Sequence, residues 1–252
     1  MYLFDLTGKN AIVTGGNRGL GYSIAEGLCE AGARVVILAS SDSVYVAAEE
    51  FQKRGFSVTG FKCNLSDEED IKATFEEIMT LFDDKIDILV NNAGIQRRNR
   101  CEEFLISDWD DVINVNLRSV FQLCQLAGRK MIEQGGGKII NLASMLSFFG
   151  GFTVPAYAAA KGGVAQLTKA LSNEWASKNI NVNAIAPGYM ATEMNTRLIE
   201  DEKRNAEILG RIPAGRWGTP EDMKGLAIFL ASKASDYMNG AVIPVDGGYL
   251  GR

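Results

Sequence analysis

Seven short runs rich in Val, Ile and Ala recur along the chain, at residues 10–14, 34–39, 57–63, 87–91, 138–143, 181–186 and 241–245. Between them lie stretches of helical periodicity, at residues 20–31, 44–54, 67–82, 107–134, 156–177 and 220–231. Strands this apolar are buried on both faces, and a helix between successive strands makes them run parallel. Right-handed crossovers then lead to a doubly wound α/β domain, with a seven-stranded parallel sheet of Rossmann type. No linker, repeat or low-complexity stretch interrupts the sequence, so a single domain over residues 1–252 is expected. Residues 189–217 have no clear period. A stretch of that length is expected to hold short helices and to act as a substrate lid.

Composition removes several classes of function. The net charge is -5, from 26 basic and 31 acidic residues, so no basic excess draws the chain to nucleic acid or an anionic membrane. No apolar run approaches the roughly 20 residues of a membrane span. The four cysteines form no C-x-x-C pair and no signal segment is read, so reduced thiols in a cytoplasmic enzyme are expected. There is no histidine. Ser-His-Asp and Cys-His catalysis and His-containing zinc sites are therefore excluded, and no metal site is expected.

What remains for proton transfer is Tyr, Lys, Ser, Asn and the carboxylates. Tyr157 and Lys161 are four residues apart in the run Tyr-Ala-Ala-Ala-Lys, with Ser144 thirteen residues upstream. On a helix that spacing puts a phenol and an ammonium on one face. A nearby cation is expected to lower the tyrosine pKa from about 10. The run from Thr14 to Gly21 joins the first strand to the first helix. Gly15, Gly19 and Gly21 there allow a tight turn and let backbone N–H groups approach a pyrophosphate.

The glycine loop, Asn91-Asn92-Ala93-Gly94, Asn116, Ser144, Tyr157, Lys161 and Pro187-Gly188 fall in one order along the chain. In that order the sequence resembles the compact branch of the short-chain dehydrogenase/reductase family. The resemblance implies an NAD(P)-dependent oxidoreductase acting on a hydroxyl or ketone, with Tyr157 as general acid/base. It implies that Lys161 lowers the phenol pKa and holds the nicotinamide ribose. Ser144 orients the substrate oxygen, and Asn116 positions a water leading to Lys161. The cofactor is expected along Gly15, Asn17, Arg18, Gly19, Leu20, Gly21, Ser40, Ser41, Asn64, Leu65, Asn91, Ala93 and Gly94. Tyr157, Lys161, Pro187, Gly188, Met190 and Thr192 complete that set. The family's pairing helices imply a homotetramer.

The second strand ends Ala39-Ser40-Ser41, without the acid that would hold an adenosine 2′-hydroxyl. Arg18 is placed to meet a 2′-phosphate. Both favour NADP(H) over NAD(H), while Asp42 acts in the other sense. Asn64 departs from the aspartate often found at the adenine-contact position. Residues 138–149, 173–176, 181–192 and 211–218 resemble members of the family that act on sugar acids. A carboxylate substrate needs a cation, and Arg97 or Arg98 follows the Asn-Asn-Ala-Gly turn at the ligand edge of the sheet. Arg97, Arg98, Met145, Ser144 and Tyr157 are thus the expected substrate contacts. Reduction of a 3-oxoacyl carrier-protein is the competing enzymatic reading. A dinucleotide-binding regulator without turnover is the third.

Overall fold

The computed structural model describes residues 2–252. Among them the strands are β1 (Asn10–Thr14), β2 (Arg34–Ala39), β3 (Val58–Lys62), β4 (Ile88–Asn91), β5 (Gly137–Leu142), β6 (Ile180–Pro187) and β7 (Val242–Val245). The α-helices are α1 (Gly19–Glu30), α2 (Ser43–Lys53), α3 (Glu68–Leu81), α4 (Ile106–Ile113), α5 (Ser119–Gln134), α6 (Pro155–Trp175), α7 (Thr196–Glu200), α8 (Glu202–Leu209) and α9 (Lys224–Ala231). The strands form the expected seven-stranded parallel sheet, in the order β3-β2-β1-β4-β5-β6-β7. Ile12 lies level with Val36 on one side and Leu89 on the other. Strand order reverses between β1 and β4, which opens a crevice beyond their carboxyl ends.

Two helical layers explain why the strands lack polar alternation. Ile24 and Leu28 of α1, Phe51 of α2 and Leu230 of α9 pack with Val13, Val35 and Ile37 on one face. Phe75 and Ile78 of α3, Leu123 of α5 and Val164 of α6 pack with Ile12, Val36 and Leu89 on the other. Local signals set the helix ends. The Asp67 carboxylate accepts the Glu69 and Asp70 N–H groups at the start of α3. Gly135, at φ 89°, ends α5 in the left-handed region. Pro155 opens α6, where its missing N–H costs nothing.

Two helices depart from expectation. The single helix predicted over 107–134 is α4 and α5 joined by a π-helical turn, Asn114–Arg118. One extra residue in a turn barely disturbs the apolar period on either side, so the pattern reads straight through it. The predicted helix over 220–231 likewise begins as a tighter 3-10 turn, Pro220–Met223. The 189–217 stretch holds a 3-10 turn, Glu193–Asn195, followed by α7 and α8, as its length suggested. Among the described residues no helix is long and apolar enough to cross a membrane.

Candidate active site

The carboxyl ends of β1, β4, β5 and β6 bring the sequence-predicted residues to one edge of the sheet. At β1, Gly15 and Gly19 take φ values of +64° and +56°, which side chains rarely adopt. A methyl group at Gly21 would overlap the Gly15 carbonyl oxygen, so only glycine lets α1 start this close to the loop. No side chain caps α1, which leaves its first N–H groups to the crevice. A Cβ on Gly19 would project into that crevice towards Thr192 Cγ2, 3.9 Å away. An open helix N-terminus across a glycine cradle fits a dinucleotide pyrophosphate.

Two residues that sequence reasoning passed over hold this loop. Thr14 Oγ1 accepts the Asn92 and Ala93 N–H groups at 3.0 and 2.9 Å. Asn92 Nδ2 donates to the Thr14 and Gly15 carbonyls at 2.9 and 3.2 Å. The signal was the second asparagine of the Asn-Asn-Ala-Gly turn. The first behaves differently. Asn91 Nδ2 donates inward to Asn141 Oδ1 at 2.9 Å, and Asn141 donates to Thr168 at 3.0 Å. The Asn91 side chain is therefore part of a buried network, which leaves only its main chain for a cofactor.

At β5, Ser144 caps a short turn, Met145–Ser147, and its Oγ accepts the Leu146 N–H at 3.1 Å. Ser147 Oγ donates to the Lys161 carbonyl at 2.7 Å, which ties this turn to α6. Lys161 is 3% exposed and its Nζ donates to the Leu142 carbonyl at 2.5 Å. That ammonium lies 5.7 Å from the centre of the Tyr157 ring. Burial depresses its pKa from 10.5 to about 8. The Tyr157 pKa is raised rather than lowered, against the sequence expectation. Burial of the phenol raises it, and the Ser144 hydroxyl and the Arg98 charge oppose that rise. The Lys161 ammonium is turned to the strand carbonyl.

Asn116 is fully buried in the π turn. Its Oδ1 accepts the Ile95 N–H and its Nδ2 donates to the Ile95 carbonyl, both at 2.8 Å. The side chain of Asn116, the residue expected to position a water, is thus bonded to the chain after β4.

The two arginines after β4 part company. Arg97 is held by Asp108 and Asp111 of α4 at 3.5 and 3.3 Å, so its expected substrate contact is not supported. Arg98 has no ion-pair partner among the described residues. Much of its surface is open, yet partial burial lowers its pKa from the usual arginine range, with the Arg204 charge acting the same way. The phenols of Tyr189 and Tyr157 act in the opposite direction. Met145 is buried with Ile208, Ile212 and Tyr249.

The wall after β6 faces the glycine loop. The Gly188 N–H donates to the Val245 carbonyl at 2.9 Å, and the Thr192 N–H donates to the Met190 carbonyl at 2.9 Å. Met190 is buried and bridges to Gly218. At β2, Ser41 and Ser43 share a hydrogen bond of 2.8 Å, and Asn17 Nδ2 donates to Ser43 at 2.8 Å. Ser40 is exposed beside them. Asp42, which was read as favouring NAD(H), pairs with Lys62 at 2.9 Å. Arg18, expected at a 2′-phosphate, has its Nη1 2.6 Å from the Glu193 carboxylate. Both are well exposed, so this pair holds Arg18 only weakly. Asn64 Oδ1 accepts the Ser66 N–H at 3.1 Å, and Leu65 packs into the core beside it. A cleft of about 410 Å³ between Tyr2, Phe4 and Ile228 holds none of these residues.

A dinucleotide cradle and a Ser-Tyr-Lys cluster at one sheet edge define a nicotinamide-dependent oxidoreductase class. A family model described as enoyl-(acyl carrier protein) reductase matches residues 15–250. The chain belongs to the short-chain dehydrogenase/reductase family. It is 51% identical to 2-dehydro-3-deoxy-D-gluconate 5-dehydrogenase of Bacillus subtilis over 250 residues, 99% of this chain and 97% of that one. It is 44% identical to 5-keto-D-gluconate 5-reductase of Escherichia coli, over 98% of each chain. Its fold matches gluconate 5-dehydrogenase of Burkholderia cenocepacia, solved in complex with NADP and tartrate, with a TM-score of 0.96. That match has 41% identity and covers 100% of this chain and 98% of the other.

Proposed function

We propose that this protein interconverts a hydroxyl and a ketone on a sugar acid of the 2-dehydro-3-deoxy-D-gluconate or 2-deoxy-D-gluconate type, with a preference for NADP(H). The observation that carries this reading is Arg98, a guanidinium without a carboxylate partner among the described residues, whose charge favours the ionised form of the buried Tyr157 phenol. A charged group in that position is stabilised by a substrate carboxylate, which it can bind bidentately. An acyl thioester would leave it unpaired. The 51% identity to the Bacillus enzyme supports the substrate type. Gluconate 5-dehydrogenation is the second reading, supported by the 44% identical 5-keto-D-gluconate reductase.

Each residue then has a role. Tyr157 gives its proton to the ketone oxygen in reduction and takes it back in oxidation. Its raised pKa keeps the phenol protonated at neutral pH, the form that reduction needs. Ser144 directs its hydroxyl at the same oxygen. Lys161 fixes α6 to the end of β5, holds the ribose and passes protons towards Asn116. The dinucleotide supplies a hydride when bound along Gly15, Asn17, Gly19, Leu20 and Gly21. Ser40, Ser41, Asn64, Leu65, Ala93, Gly94 and the main chain of Asn91 would hold its adenosine half and ribose. Pro187, Gly188, Met190 and Thr192 would hold the carboxamide end. Residues 189–217 act as the lid. A cytoplasmic homotetramer completes the reading, and exposed Trp109 of α4 and Phe121 of α5 offer it an apolar contact face.

Two tests follow from the charges. Arg98→Ala should raise the sugar-acid KM about tenfold or more, the equivalent of one charge-assisted hydrogen bond. Arg97→Ala should stay within about twofold, because Arg97 already has two carboxylates. Steady-state kinetics on both variants decide the matter, and wild-type KM values in both would remove the carboxylate assignment. Arg18→Ala should lower kcat/KM for NADPH about tenfold and leave NADH nearly unchanged. Equal losses with the two cofactors would exclude Arg18 from 2′-phosphate recognition.

A further inference from the structure

Tyr249, outside the proton-transfer set, is buried where three segments meet beside the Ser144 turn. Beyond β7 the chain makes a tight turn, Tyr249–Gly251, in which Tyr249 is buried. The Tyr249 ring stacks on Phe149 at 5.8 Å and meets Tyr189 edge-on at 5.5 Å. The Arg211 guanidinium lies over the same ring at 4.5 Å. These three neighbours come from separate segments. Phe149 follows the Ser144 turn, Tyr189 follows Pro187-Gly188, and Arg211 follows α8.

The turn is itself anchored. The Asp246 carboxylate accepts the Gly248 and Leu250 N–H groups, both at 2.9 Å. Arg252 Nη1 donates to the Gly210 carbonyl at 2.7 Å, and the Ala214 N–H donates to the Gly247 carbonyl at 3.0 Å. Tyr189 stands edge-on to Trp217 at 5.5 Å, and Trp217 Nε1 donates to Asn205 Oδ1 on α8 at 2.7 Å. A single buried ring thus joins the serine turn, the wall after β6 and the lid helix. The Tyr189 and Tyr157 phenols both act on the Arg98 charge, against the burial that lowers its pKa.

We infer that Tyr249 is a positioning residue for the substrate. It holds Tyr189 and α8 against the serine turn and so fixes the width of the cleft that faces Arg98. This inference rests on the sugar-acid reading above. Planar rings locked by one another lose little freedom when a ligand arrives, and they suit the C–H faces of a short polyol acid. The chemistry should not depend on Tyr249. Lys161 is fixed by the Leu142 carbonyl and Ser144 by the Leu146 N–H, and neither contact involves this turn. The glycine loop is fixed by Thr14 and Asn92 and is equally independent of it.

Tyr249→Ala, Tyr249→Leu and Tyr249→Phe separate this role from general support of the fold. The leucine variant keeps the apolar bulk should the alanine variant fail to fold. The readouts are KM and kcat for the sugar acid that the wild type turns over best, and the NADPH Kd by fluorescence. Loss of the ring should raise KM about tenfold or more, with kcat within about threefold and NADPH Kd within about twofold. Tyr249→Phe should keep a KM near that of the wild type. A wild-type KM in active Tyr249→Leu would overturn the positioning role alone. So would a parallel loss of NADPH binding, which marks a mere structural prop. A wild-type protein inactive on every sugar acid would overturn the substrate reading, and this inference with it.

Discussion

Tyr157→Phe should lower kcat by about 10²- to 10⁴-fold, the span that one positioned general acid contributes. The ring is kept, so α6 should pack as before and NADPH should bind with an affinity close to that of the wild type. Stopped-flow or steady-state rates, paired with fluorescence titration of NADPH, check both halves. The pH dependence gives the same residue a second test. Because burial raises the phenol pKa, reduction should be nearly flat through neutral pH, and oxidation should accelerate as pH rises and the phenolate forms. A Tyr157→Phe protein with near wild-type turnover would show that another group moves the proton.

Lys161→Met should abolish at least about 99% of turnover, since it removes the group proposed to hold the ribose and to carry the proton onward. Its effect on stability should run the other way from that of most core substitutions. A buried lysine whose pKa falls from 10.5 to about 8 carries a burial cost of about 3 kcal/mol in its charged form. Below about pH 8 the residue is charged in both the folded and unfolded states, and the whole cost is present. Between about 8 and 10.5 the folded protein releases the proton while the unfolded chain keeps it, so this residue's contribution to stability improves with pH. Methionine keeps the volume and removes the charge, although the Leu142 carbonyl loses its donor. The expected outcome is an inactive protein whose Tm at pH 7 is equal to or above that of the wild type. Calorimetry from pH 7 to 10 should show the gap close as pH rises. A Tm several degrees lower at pH 7 would mean that the ammonium stabilises the fold.

The strand-helix alternation made the sheet and its order of layers readable from sequence, because fully apolar strands have few ways to be buried. The π turn at Asn114–Arg118 was not readable, since a single inserted residue leaves the helical period almost intact. The positions of Ser144, Tyr157 and Lys161 followed from spacing, but their ionisation did not. Helix spacing predicts that Lys161 can reach Tyr157; only the structure shows the ammonium turned to Leu142. Arg97 and Arg98 are adjacent and chemically identical in sequence, and their difference arises from Asp108 and Asp111 on a helix reached after a turn. The Asn92–Thr14 clamp and the Tyr249 hub join residues far apart in the chain, which no local pattern records.

The most direct measurement is a comparison of kcat/KM with NADPH for 5-keto-D-gluconate and acetoacetyl-CoA, and with NADP for 2-dehydro-3-deoxy-D-gluconate and D-gluconate. It is followed by the absorbance of the reduced nicotinamide. A site built to pair a carboxylate with Arg98 should favour a sugar acid over the thioester by at least about a hundredfold. Among the sugar acids, 2-dehydro-3-deoxy-D-gluconate should be turned over best. Equal or faster turnover of acetoacetyl-CoA would contradict the sugar-acid assignment and leave Arg98 without its proposed partner.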